Sequence, residues 1–124
     1  MNYLINTQSN GIFEYDQDYY TLSKNLRTEP WRQATTQEVK PYLVEKHIPG
    51  IKDEAHTRIT AIYPITKQLN LIYEQANNLA EYTTMVAFIQ NIRTKSNELE
   101  AKIAKYTIKQ LETFNCADDK HWTD

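Results

Sequence analysis

The chain has two glycines and one cysteine in 124 residues, and each scarcity closes a set of options. With only Gly11 and Gly50, no G-x-G-x-x-G, Walker-type or G-x-S-x-G loop can be written. Glycine-rich phosphate cradles and the nucleophile elbow are therefore excluded. Cys116 alone cannot close an internal disulfide, which fits a chain folded in a reducing compartment. No stretch approaches ~18 consecutive apolar residues, so no membrane-spanning helix is expected. The opening MNYLINTQSNG has no basic flank, apolar run or small-residue cleavage site, and no signal peptide is expected. Net charge is −2, which gives no global attraction to nucleic acid or to an anionic membrane.

Core-forming residues are also sparse. Leu, Ile, Val and Phe together number 27, about 22% of the chain and just above the ~20% region in which chains tend to stay disordered. A small helical chain with so little apolar material leaves much of its surface uncovered, and such chains are often completed by self-association or by a partner.

The strongest positive signal is a 4-3-4-3 spacing over Met85, Ile89, Ile92, Ser96, Leu99, Ile103, Tyr106 and Gln110. On an α-helix these positions form one seam, the a/d geometry of helices that pack lengthwise. A second apolar face runs through Ile51, Ala55, Ile59, Ile62, Ile65, Leu69, Ile72 and Ala76, with Pro64 in its middle. Pro64 removes a backbone donor and clashes with the carbonyl of Thr60; because the periodicity stays in phase on both sides, a kink is expected. Asn77 to Glu81 supplies the turn between the two. A shorter helix is expected from about Thr36, with Thr35 as N-cap and Glu38 completing a capping box, stopping before Pro49-Gly50.

The first 20 residues differ in character. Two β-prone runs, Tyr3 to Ile5 and Ile12 to Tyr15, flank Ser9-Asn10-Gly11, the turn chemistry of a hairpin. The expected fold is thus mainly α: an antiparallel helical hairpin with long helices over about 51–77 and 83–113, a short preceding helix, and an N-terminal β-hairpin or extended arm. The expected organisation is an aromatic arm and linker over 1–34, a helical domain over 35–114 and a flexible acidic tail over 115–124. Trp31 is read as a buried anchor where the linker meets the helices. Tyr3, Phe13, Tyr15, Tyr19 and Tyr20 give the arm an apolar surface with polar tips, suited to gripping a protein partner.

Chemical sites are weakly supported. His47, His56 and His121 lie far apart, and the tail string Cys116, Asp118, Asp119, His121 has no recognised zinc spacing. Glu98 and Glu100 point to different sides of a helix, and Asp16 and Asp18 fall in the arm. No catalytic residue, cofactor or metal is assigned. Arg93, Lys95, Lys102, Lys105 and Lys109 form a basic stripe interrupted by Glu98 and Glu100. It reads as the solvated face of a helix, with nucleic-acid binding as the weaker alternative.

Residues 54–71, EAHTRITAIYPITKQLNL, and 85–103, MVAFIQNIRTKSNELEAKI, are more specific than periodicity requires. Their elements R-I-x-x-x-Y-P-x-x-K-Q-x-N and F-I-x-x-I-R-x-K-S-N-x-L-E-x-x-I resemble a helical module of small bacteriophage and prophage proteins associated with tail or tail-fibre genes. The markers are Arg58, Tyr63, Pro64, Lys67, Gln68, Asn70, Arg93, Ser96, Asn97 and Glu100; residues 1–50 lie outside the resemblance. It implies a non-enzymatic virion component made in the host cytoplasm, which joins or anchors tail or fibre subunits. A tail-fibre assembly chaperone that leaves the particle is the alternative. It also implies hydrogen bonds from Lys67, Gln68 and Asn70 across the hairpin to the segment from Arg93 to Asn97.

Overall fold

A computed structural model describes all residues, Met1–Asp124. The protein is 60% helical, with four α-helices and a small three-stranded antiparallel sheet near the N-terminus. Its contacts divide the chain into two compact units, residues 1–45 with 106–114 and residues 46–105 with 115–124.

In the first unit, β1 (Asn2–Asn6) lies between β2 (Ile12–Tyr15) and β3 (Trp31–Gln33), antiparallel to both. The β1–β2 turn rests on Asn chemistry. Asn10 holds φ 60°, a left-handed conformation that Asn tolerates, and the Asn6 side chain accepts the backbone N–H groups of Gln8 and Ser9. The segment expected as a linker supplies the third strand. A two-stranded hairpin is marginal in water, and β3 closes the free edge of β1 by placing Gln33, Arg32 and Trp31 opposite Leu4, Ile5 and Asn6.

Strand alternation then sends side chains to two faces. Tyr3 and Ile5 point to one, where the Tyr3 ring meets Tyr42 edge-on at 6.4 Å and its hydroxyl donates to Glu112 at 2.6 Å. Leu4 points to the other, on the same side as its cross-strand neighbour Phe13. Tyr3, Leu4 and Ile5 are all buried. The residues that cover the Tyr3 face come from beyond residue 34, which is why the compact unit does not follow the expected 1–34 boundary.

Helix α1 (Thr36–Ile62) starts as its sequence predicts. The Thr35 hydroxyl accepts the Glu38 N–H, and the Glu38 carboxylate accepts the Thr35 N–H at 2.9 Å. The expected stop before Pro49-Gly50 does not occur. Val39, Leu43, Ile51, Ala55 and Ile59 are all buried and repeat every four residues on both sides of the pair. Burial of that face outweighs the ~3 and ~1 kcal/mol that Pro and Gly cost inside a helix.

The second unit contains the rest of α1, α2 (Ile65–Tyr73), α3 (Leu79–Ile103) and the C-terminal segment. Pro64 breaks the helix instead of kinking it. The chain leaves α1 at Ile62, and the freed Tyr63 carbonyl accepts the Gln68 side-chain amide at 2.7 Å. Contacts between α1 and α3 run in opposite order along the chain: Lys52 lies 3.9 Å from Glu100, and the rings of Tyr63 and Phe88 sit 5.5 Å apart. Met85, Ile92, Ser96, Leu99 and Ile103 of the α3 seam are buried.

The seam ends earlier than expected, because α3 stops at Ile103 and a new helix, α4 (Ile108–Glu112), follows. Thr107 and Gln110 form a full capping box that restarts the helix. Read as a seam residue, Gln110 conceals that signal. Leu111 of α4 has no exposed surface and belongs to the first unit.

The tail expected to fray over 115–124 is folded. Trp122 is 3% exposed, and its indole N–H donates to the Cys116 carbonyl at 2.8 Å. The Arg58 guanidinium stacks 5.5 Å from the Trp122 ring and donates to Asp119 and the Ala117 carbonyl. The Lys95 ammonium donates to the Trp122 carbonyl and to Asp124. An acidic, polar tail becomes ordered here because one aromatic anchor and two cations satisfy it.

Candidate protein-docking surfaces

The first surface is the outer face of the sheet, and it separates the five aromatic residues singled out in the sequence. Tyr3 is buried on the inner side, with its phenol raised above its ordinary pKa chiefly by burial and then by the Glu112 carboxylate that it donates to. It is a core residue and offers nothing to a partner. Phe13 and Tyr15 alternate onto the opposite face. Phe13 is 51% exposed and meets Trp31 edge-on at 5.0 Å. Trp31, expected as a buried anchor, is half-buried on this face. The Tyr15 hydroxyl is buried without a hydrogen-bond partner, and burial followed by the charges of Tyr19 and Asp18 raises its pKa. Tyr19 and Tyr20 pack edge-on at 5.2 Å, placed by a single helical turn that Asp18 caps through the Tyr20 N–H. Tyr20 is 75% exposed. The structure thus keeps Phe13 and Tyr20 at the surface, sets the half-buried Trp31 against Phe13, and leaves Tyr15 and Tyr19 half-buried. A linker reading of residues 21–34 hides the place of Trp31 on this face, which only its pairing in β3 reveals.

The second surface was not foreseen from the sequence. The break at Pro64 changes which residues of α2 face α3. Leu71 is buried and Gln68 half-buried, so the inward side of α2 differs from the apolar face that continues from α1. That face is left outside: Ile65, Leu69 and Ile72 are 54%, 60% and 53% exposed. Ile62, Tyr73 and Leu79 adjoin them along the chain and are also exposed. The expected hydrogen bonds from this segment to α3 are not formed. Lys67 lies over the Tyr63 ring at 5.1 Å, Gln68 bonds to the Tyr63 carbonyl, and the Asn70 side chain is exposed.

The other groups weighed in the sequence are dispersed or engaged. Lys102 lies in the last turn of α3, Lys105 in the following turn and Lys109 in α4, so no single helix carries the basic stripe. Lys52, His56, Arg93, Ser96 and Asn97 line an open cleft of ≈ 290 Å³ over Ala55 and Ile59. Its Lys52 faces the Glu100 carboxylate, which offsets its positive charge. In the C-terminal segment, Asp118 accepts the Lys120 N–H and is held below the usual carboxylate range by that bond first. Asp119 binds Arg58, and burial lowers the His121 imidazole. No three His, Cys, Asp or Glu side chains come together as ligands for a metal.

No helix is long and apolar enough to cross a membrane. No family model matches this chain, and no curated protein or solved structure matches it either.

Proposed function

We propose that this chain is a non-enzymatic assembly protein of a bacteriophage tail or tail fibre, which joins protein subunits through the outer face of its N-terminal sheet. The setting comes from the resemblance carried by Arg58, Tyr63, Pro64, Arg93, Ser96 and Asn97. The helical part of the reading is an antiparallel hairpin of α3 and the part of α1 that shares its unit. It is supported by the opposed order of the contacts from Lys52 to Glu100 and from Tyr63 to Phe88.

The observation that carries the joining role is the exposure of two aromatic side chains, Phe13, which packs on the half-buried Trp31, and Tyr20. Aromatic side chains with few rotamers and large area dominate the energetics of protein interfaces. Phe13 belongs to β2, an edge strand with one unpaired side, which adds backbone donors and acceptors for a partner segment.

The test is recovery of tail or fibre subunits with the tagged chain, paired with mass spectrometry of purified particles. Native protein brings the subunits with it and is found in the particle. The variant carrying Phe13→Ala and Tyr20→Ala loses them while its melting temperature and helical signal stay close to native. Subunits held equally well by that variant would place the contact elsewhere. A chain that captures fibre subunits and is missing from finished particles is an assembly chaperone instead.

A further inference from the structure

We infer that the outward seam of α2 is a self-association surface, so that the chain forms a homodimer whose subunits meet at Ile65, Leu69 and Ile72. The inference is independent of the aromatic face of the sheet and lies wholly within the second unit.

Three observations lead to it. The first is spacing. On α2, Ile65, Leu69 and Ile72 step by four and three, the a/d pattern that packs against a matching seam. As far as Ile59 the same pattern is satisfied inside the protein by Ile51, Ala55 and Ile59. From Ile62 onward it is not: Ile62 is exposed, and in α2 Leu71, in place of the seam, is the buried contact.

The second is area. Summed over whole residues, the exposed parts of Ile62, Ile65, Leu69, Ile72, Tyr73 and Leu79 set an upper bound on the order of 700–800 Å², against the ~800 Å² that each partner contributes to a standard interface. Soluble monomers rarely expose apolar patches beyond a few hundred Å².

The third is charge. From Ile62 to Ala80 the only charged side chains are Lys67 and Glu74. Both are occupied locally, Lys67 over the Tyr63 ring and Glu74 by the Asn78 side-chain amide. A dissimilar partner is commonly selected by complementary charge at its rim. A seam without charge, whose repeat matches itself, meets the requirement of a two-fold interface that the same patch serve both sides. Leu69 is the centre of the seam and falls on or beside the symmetry axis.

Sedimentation equilibrium of the full chain over a wide concentration range tests this. The native protein is expected to dimerise reversibly. Substituting Leu69→Glu and Ile72→Glu together, both at exposed positions, should weaken self-association by about 100-fold or more with the helical signal kept. If the double variant fails to fold, Leu69→Cys in a Cys116→Ser background provides the second measurement. It should cross-link rapidly to a covalent dimer under mild oxidation, whereas Asn70→Cys in the same background should lag. A native chain that stays monomeric at high concentration overturns the inference. So does a dimer that survives the Glu substitutions, or equal cross-linking at both cysteine positions.

Discussion

Trp122 offers the most direct measurement of whether the last ten residues belong to the fold. Its side chain is 3% exposed, its indole N–H donates to the Cys116 carbonyl at 2.8 Å, and Arg58 stacks on its ring. Replacing it with Ala removes a buried aromatic and leaves a cavity, a change that costs about 3–5 kcal/mol in protein cores. The lost hydrogen bond, worth about 1 kcal/mol, and the lost cation–π contact, worth about 0.5–2 kcal/mol, lie partly within that figure. A loss of about 4 kcal/mol is a large share of the ~5–15 kcal/mol that holds a domain together. For a chain of this size it lowers Tm by roughly 10–20 °C. Thermal melts followed by far-ultraviolet circular dichroism give the number, and limited proteolysis of Trp122→Ala should show early cleavage after about residue 114. Trp122→Phe keeps most of the volume and loses the N–H donor, so its loss should be a fraction of that for Ala. A Trp122→Ala protein melting within about 2 °C of native would show an indole in solvent and refute the docking of the tail.

Other substitutions probe separate contacts. The Glu38 carboxyl is held down to about 2 from its ordinary 4.5, first by hydrogen bonds from the Arg32 guanidinium and then by the Thr35 backbone N–H. Because the folded value is the lower one, its contribution is complete above about pH 4.5 and fades as the pH falls towards 2. Denaturant titrations across that range should show a stability loss that Glu38→Gln flattens. Tyr3→Phe removes the donor to Glu112 and should cost about 1–2 kcal/mol in urea unfolding, with no effect on partner recovery because the ring is internal. Gln68→Ala uncaps the Tyr63 carbonyl and should cost about 1 kcal/mol, while Asn70→Ala, at an exposed side chain, should stay within ~0.5 kcal/mol. Equal effects from those two would mean that the break at Pro64 is held by something other than the Gln68 amide.

The parts of the fold legible in the sequence are those set by local chemistry. Thr35 and Glu38 announce the start of α1 because a capping box needs only four adjacent residues. Asn10 announces the β1–β2 turn because few side chains accept its backbone conformation. The seam from Met85 to Ile103 is readable because one helix face has one period. Periodicity cannot say what that face meets. Gln110 matched a seam and, with Thr107, a cap, and the cap prevailed because α4 buries Leu111. Tyr3, Phe13, Tyr15, Tyr19 and Tyr20 were alike as an aromatic cluster. Separating them required the pairing of β1 with two neighbours, since only the sheet decides which side of a strand is inside.

Sequence alone determined that this chain is mainly helical, where its first helix and first turn begin, and that its apolar stripes are narrow. Tertiary structure decided that α1 would run through Pro49-Gly50, that the tail would close over Trp122, and that the stripe beyond Pro64 would face outward. The physical reason is common to all three. Local propensities differ by a few kcal/mol at most, whereas burial is settled by partners distant in sequence, so a proline can be overruled at one position and redirect a helix face at another.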